Sequence, residues 1–149
     1  YAHNTFVNAA GITSEPYNVL LGRGTAFNAR FENNIILQED SRPIAVFSGE
    51  GITFSNNLWS KTPPSDLTRP GDIIGNPLLA KLGVFAPGQL TAEYFKILPT
   101  SPAIDKGKSI STVVTDFFLE IRGPLPDIGA DEELPIFLTP QVYIPMIAK

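Results

Sequence analysis

Glu15, Glu32, Glu39, Asp40, Glu50 and Arg30, all in the first third of the chain, are the candidates for acid–base chemistry. Elimination on an acidic polysaccharide needs carboxylates that hold Ca²⁺ and an Arg or Lys that takes a proton, all on one face. Glycoside hydrolysis needs two carboxylates on opposite sides of a cleft. The spacing meets neither need. No two of these acids recur at equivalent positions of the repeats described below, and nothing basic stacks near Arg30. His3 is the single histidine, which excludes a multi-histidine metal site. Its place at a turn reads as a surface side chain, not as the base of a triad. With no cysteine there is no disulfide, thiolate nucleophile or cysteine-bound metal. No catalytic residue, metal ligand or cofactor is assigned, so the chain reads as non-catalytic within its own residues.

Three further groups have chemistry to weigh. Asp127, Asp131, Glu132 and Glu133 form an acidic run that reads as a solvated loop, with a Ca²⁺ site as the alternative. Asp105, Arg122 and Asp127 are expected in a buried or half-buried polar network away from any open cleft. There the aspartates accept backbone N–H groups and one pairs with Arg122. Tyr1, Phe6, Phe27, Phe31, Phe47, Phe54 and Trp59 recur along the first sixty residues. Inward stacks are the default for such rings. Trp59, followed at once by Ser60 and Lys61, is the outward candidate for stacking on a sugar.

The elements that carry these groups follow from a repeat. Tyr1-Ala2-His3-Asn4, Phe31-Glu32-Asn33-Asn34 and Phe54-Ser55-Asn56-Asn57 each run from an aromatic to an Asn and on into an apolar stretch, at steps of 30 and 23 residues. Such periods mark stacked coils. Asn18 to Gly22 aligns with Pro43 to Phe47, residues 25–31 with 51–54, and Ile35-Ile36-Leu37 with Leu58-Trp59-Ser60. The pattern predicts three short strands per repeat of an all-β parallel β-helix. In it Asn4, Asn34 and Asn57 form a ladder and Phe31 lies over Phe54. An antiparallel sandwich with chance similarity between strands is the competing reading.

Residues 1–72 are therefore taken as rungs, 73–133 as an irregular C-terminal cap over the open end of the stack, and 134–149 as an apolar tail. Within the cap, Asn76, Pro77 and Gly83 predict a short helical turn. Alternation predicts a strand over Tyr94–Leu98. A length of 149 residues with 43% apolar and 17% charged residues supports one folded domain. The net charge of −4, with its eleven basic residues scattered, argues against nucleic acid. No stretch is apolar enough for a transmembrane helix. The chain opens at Tyr1 inside a repeat, with no initiator Met or signal peptide, and is expected to be a fragment or processed product.

Ser101-Pro102-Ala103-Ile104-Asp105-Lys106-Gly107, Thr115-Asp116-Phe117, Arg122-Gly123-Pro124 and Pro126-Asp127-Ile128-Gly129-Ala130-Asp131-Glu132 resemble the C-terminal cap of secreted bacterial right-handed parallel β-helix (pectate-lyase-like) proteins. The resemblance spans roughly 73–132. It departs at Asp131, where the family usually has an aromatic, and at 118–121, which replace a Gly-containing turn. It implies a secreted or cell-surface bacterial location better than it implies an activity, because family members include lyases, glycosidases, and adhesive or structural proteins. The expectation is a non-catalytic structural or adhesive module of a larger assembly or longer protein. Its implied partners are copies of itself or upstream residues, with polysaccharide as the ligand class to test. The alternatives are the C-terminal part of a polysaccharide lyase or hydrolase, and a carbohydrate-binding module.

Overall fold

The computed structural model describes residues 1–9, 19–83, 86 and 88–134. The protein is all-β. Its strands are β1 (Thr5–Val7), β2 (Val19–Glu32), β3 (Ile35–Leu37), β4 (Ala45–Ser55), β5 (Leu58–Trp59) and β6 (Ile73–Ile74). They form a four-stranded sheet in the order β1-β3-β5-β6 and a two-stranded sheet β2-β4. Successive strands from β1 to β5 thus alternate between the two sheets. Every pairing of named strands is parallel, which removes the antiparallel sandwich. Parallel neighbours need a long crossover; β2 crosses from β1 to β3 and β4 from β3 to β5, while a loop over residues 60–72 joins β5 to β6.

The registers place Ile35 beside both Thr5 and Leu58, Ile73 beside Leu58, and Phe31 beside Phe54. Three expectations change. The first two strands of each repeat are one: β2 runs for 14 residues and β4 for 11. At their start the sequence alignment is one residue out, since Val19 pairs with Ala45 and Leu20 with Val46. Irregularities at Leu21/Arg23 and Thr25/Ala29 take up the difference in length. Parallel pairing also continues past residue 72 through β6.

The core lies on both faces of the four-stranded sheet. Side chains alternate along a strand, so Ile36 and Trp59 face one way, packing with Phe31, Ile44, Ala45, Phe54 and Leu67. Ile35, Leu37 and Leu58 face the other way, against Leu79, Ile97, Ala103 and Ile128 of the C-terminal half. This explains why Ile35-Ile36-Leu37 is apolar without alternation: a strand covered on both faces has no polar side. Trp59 is fully buried. It stacks at 6.2 Å from Phe31 and donates to Asp72, so it presents no ring to a sugar.

The C-terminal half is mostly turns. Asn76 Oδ1 accepts from Leu78 N–H, and Leu78 has φ +53°, so 76–78 is an Asx turn, and no helix forms over 76–83. Leu79 then makes an antiparallel bridge to Ile97. Ala92–Tyr94 is one 3₁₀ turn, which leaves only Ile97 of the expected 94–98 strand in a bridge. No helix of the described residues is long and apolar enough to cross a membrane. Glu15, most of the tail 134–149, and the side chains of Phe27 and Phe47 lie outside what is described.

Candidate functional site

The asparagine ladder is built from one backbone need repeated. The first residue of each corner turns the chain with a left-handed backbone: His3 (φ +53°), Asn33 (+57°), Asn56 (+53°) and Gly71 (+90°). Asn and Gly tolerate that region best. The next residue points inward and feeds its neighbour. Asn34 Oδ1 accepts from Asn4 N–H (3.1 Å) and Asn57 Oδ1 from Asn34 N–H (3.0 Å). Asp72 Oδ1 accepts from Asn57 N–H (2.7 Å). The amides also bond to one another, Asn4 Nδ2 to Asn34 at 2.9 Å and Asn34 Nδ2 to Asn57 at 3.0 Å. Asn34 and Asn57 are fully buried. Sequence reading missed Asp72. Its signal was present, since Gly71-Asp72-Ile73-Ile74 repeats the turn, ladder and apolar residues of Asn33-Asn34-Ile35-Ile36.

The left-handed residues point outward and hold the motif-bearing segment. Asn33 brackets Lys108, accepting from its N–H (2.8 Å) and donating to its carbonyl (2.7 Å). Asn56 Nδ2 donates to the carbonyl of Lys106. His3 contacts the carbonyl of Asp127 (3.2 Å) and Asn33 Nδ2 (2.8 Å). Gly129 N–H reaches the carbonyl of Asn33, and Ala130 N–H reaches Thr5 Oγ1. The segment 106–130 therefore runs along the side of the repeats. His3 is buried, not at the surface. Its burial, with Arg122 adding, lowers its pKa to about 4. A neutral imidazole in this place is a strut, with both nitrogens engaged.

The motif residues lock to one another. Ser101 Oγ donates to the carbonyl of Pro77 (2.6 Å) and accepts from Ala103 N–H. Ile128 N–H bonds the Ala103 carbonyl, and Gly107 N–H bonds that of Pro126. A Cβ on Gly107 would meet that Pro126 oxygen at 2.7 Å, so only Gly fits. Arg122 is buried and donates to Glu132 (2.9 Å) and to the carbonyls of Gly129 and Asp127. Glu132, and not an aspartate, is thus its carboxylate partner. Asp127 accepts from the N–H groups of Asp105 (2.8 Å) and Glu133 (2.7 Å). Burial, helped by Glu132 and Asp105, pushes its pKa up to about 6. Asp105 enters this network only through its N–H, and its side chain is exposed.

The acidic run is not a solvated loop: Asp127, Asp131 and Glu132 are buried. Asp105 and Asp127 also line a cleft of about 250 Å³ with Glu132 and Glu133, contrary to the expected placement. A carboxylate of raised pKa in a cleft has the profile of a general acid. Here both Asp127 oxygens already accept backbone N–H groups, which ties them to the fold.

Among the described acid–base candidates, only Arg30 and Glu32 come within ion-pair distance of each other. Arg30 lies 3.8 Å from Glu32, which is buried. Glu39 bonds Asn8, and Asp40 pairs with Arg42 and Gln38. No protein-family model matches the chain, and no curated protein matches it. A second cleft, of about 230 Å³, is lined by His3, Asn4, Thr5, Phe6, Phe95 and Phe117. Phe117 is 73% exposed.

Proposed function

We propose that the chain is the rung-and-cap portion of a secreted or cell-surface bacterial right-handed parallel β-helix, serving as a non-catalytic structural or adhesive module. One observation carries the reading. The ladder's side-chain oxygens, from Asn34 through Asn57 to Asp72, are taken up by backbone N–H groups of the adjacent repeat. Polar side chains committed in this way hold strands together and are not free to act on a substrate. Parallel registers from β1 to β6 support the same fold. Incubation of the chain with acidic and neutral polysaccharides, with and without Ca²⁺, should release no reducing ends or unsaturated products. Steady turnover that disappears in Arg30→Ala or Glu32→Gln overturns the reading.

A second reading, carbohydrate binding, is favoured by the cleft beside Phe117. An exposed ring over polar residues offers one face to a sugar. A glycan array separates the two: a signal lost in Phe117→Ala assigns binding, and a blank array leaves the structural role.

A further inference from the structure

Asp116, Glu120 and Asp131 come from two separate stretches of chain. Asp116 opens a tight loop: its N–H bonds the Glu120 carbonyl, and Thr115 bridges Ile121. Its Oδ1 accepts from the N–H groups of Phe118 and Glu120, both at 2.8 Å, and its Oδ2 from the N–H of Glu132 at 3.0 Å, which leaves Oδ2 one lone pair for a cation. The Oδ1 bonds bring Glu120 back beside Asp116. Asp131 arrives from the closing segment, fixed by Ile97 N–H on its Oδ2 (2.9 Å). One oxygen from each of the three carboxylates lies within 4.8 Å of the other two.

An acidic cluster alone proves nothing, since such groups are common without an ion. A second fact sets this one apart. Asp131 is 1% exposed, and its Oδ1 is buried with no hydrogen-bond partner. Buried carboxylate oxygens are normally satisfied, because an unpaired one has lost its water for nothing. The nearest ammonium, that of Lys96, is 3.9 Å away, beyond hydrogen-bond reach, and lies 4.5 Å from the Phe118 ring centre. Three carboxylate oxygens held this close repel one another when ionised. A cation between the three carboxylates relieves both the missing partner and the repulsion.

We propose that Asp116, Glu120 and Asp131 form a divalent-cation site selective for Ca²⁺, tying the 115–121 loop to the closing segment. The donor set is all oxygen, which suits a hard cation over zinc or copper. Coordination flexibility decides between the hard ions. Ca²⁺ takes protein oxygens directly in an adaptable geometry, whereas Mg²⁺ demands a near-ideal octahedron and keeps several waters, so three carboxylates gathered within 4.8 Å by a loop and a closing segment suit Ca²⁺.

The test is calorimetric titration of the chelator-treated full chain with CaCl₂, MgCl₂ and MnCl₂ in turn, alongside thermal unfolding. One saturable Ca²⁺ site is expected, with Kd on the order of 0.1–1 mM and a Tm that rises with Ca²⁺ concentration. Glu120→Gln, at a half-buried position, should weaken Ca²⁺ binding by about tenfold or more while the protein remains folded. Asp131→Asn should do the same, and Glu120→Gln carries the test if Asp131→Asn does not fold. No saturable heat from the wild type up to about 10 mM Ca²⁺ overturns the proposal. So does Ca²⁺ affinity unchanged in the folded variants, or tighter binding of Mg²⁺ than of Ca²⁺.

Discussion

His3 carries a pH dependence that a single substitution isolates. Its pKa is 6.5 in the unfolded chain and about 4 in the fold, where burial disfavours the imidazolium. A depressed pKa means that its stabilising contribution is complete above pH 6.5 and is lost as pH falls toward 4. Asn33 and Asn56 hold the same left-handed backbone, so His3→Asn removes the titrating ring without new strain. Between pH 7.5 and pH 5 the variant should gain about 1–2 kcal/mol relative to the wild type in urea unfolding. Parallel pH profiles for the two proteins would refute the buried neutral His3. The ladder makes a second residue-scale prediction. Asn57 is fully buried, and its amide serves Asn34 and the carbonyl of Phe31. Asn57→Ala leaves both without a partner and should cost about 1–3 kcal/mol. Asn4→Ala, at a half-buried position, should cost less. Equal losses in chemical denaturation would show that the ladder is not what burial makes costly.

At the scale of elements, the short parallel strands depend on the turn that launches each of them. Gly71 launches β6 with φ +90°, and a Cβ there would sit 2.9 Å from Asn56 Nδ2. Gly71→Ala adds strain and pushes at the bond from Asn56 to Lys106, so a loss of about 1–3 kcal/mol is expected. Gly75, just after β6, has open space at its Cβ and serves as the control. Calorimetric melting should show Gly75→Ala near wild type, and comparable losses at both sites would refute the turn argument. The same contrast explains what was legible in the sequence. The Asn34–Asn57 and Phe31–Phe54 matches could be read because like side chains recur at like turns. Asp72 was hidden because its copy comes only 15 residues after Asn57, behind a Pro- and Gly-containing loop. The register at Val19 could not be read, since an irregularity shifts pairing without leaving a local signal. Asn76, Pro77 and Gly83 are good helix punctuation locally, yet the bridge from Leu79 to Ile97 overrides them. The convergence of Asp116, Glu120 and Asp131 is tertiary, and spacing gives no hint of it.

At the scale of the whole molecule, the decisive fact is where the C-terminal half lies. Repeats that touch only their neighbours have stabilities that add along the stack, and their ends fray first. Here the motif segment reaches successive repeats at once: His3 meets Asp127 across 124 residues, Thr5 meets Ala130 across 125, and Asn33 meets Lys108 across 75. The outer face of β3 and β5 is also covered by Ala103 and Ile128 of that segment. Opening one repeat would uncover apolar surface on all of these at once. Unfolding should therefore be a single cooperative transition, and contacts so distant in sequence should make refolding slow. Native-state hydrogen exchange tests this directly. The ladder amides of Asn34 and Asn57 and the clasp amides of Lys108 and Gly129 should exchange with one shared opening free energy and one dependence on urea. Asn33→Ala removes both bonds to Lys108 and should lower that shared value at all four positions together. If the Lys108 and Gly129 amides instead open several kcal/mol before the ladder does, the side segment is a loosely attached flap and the repeats stand by themselves.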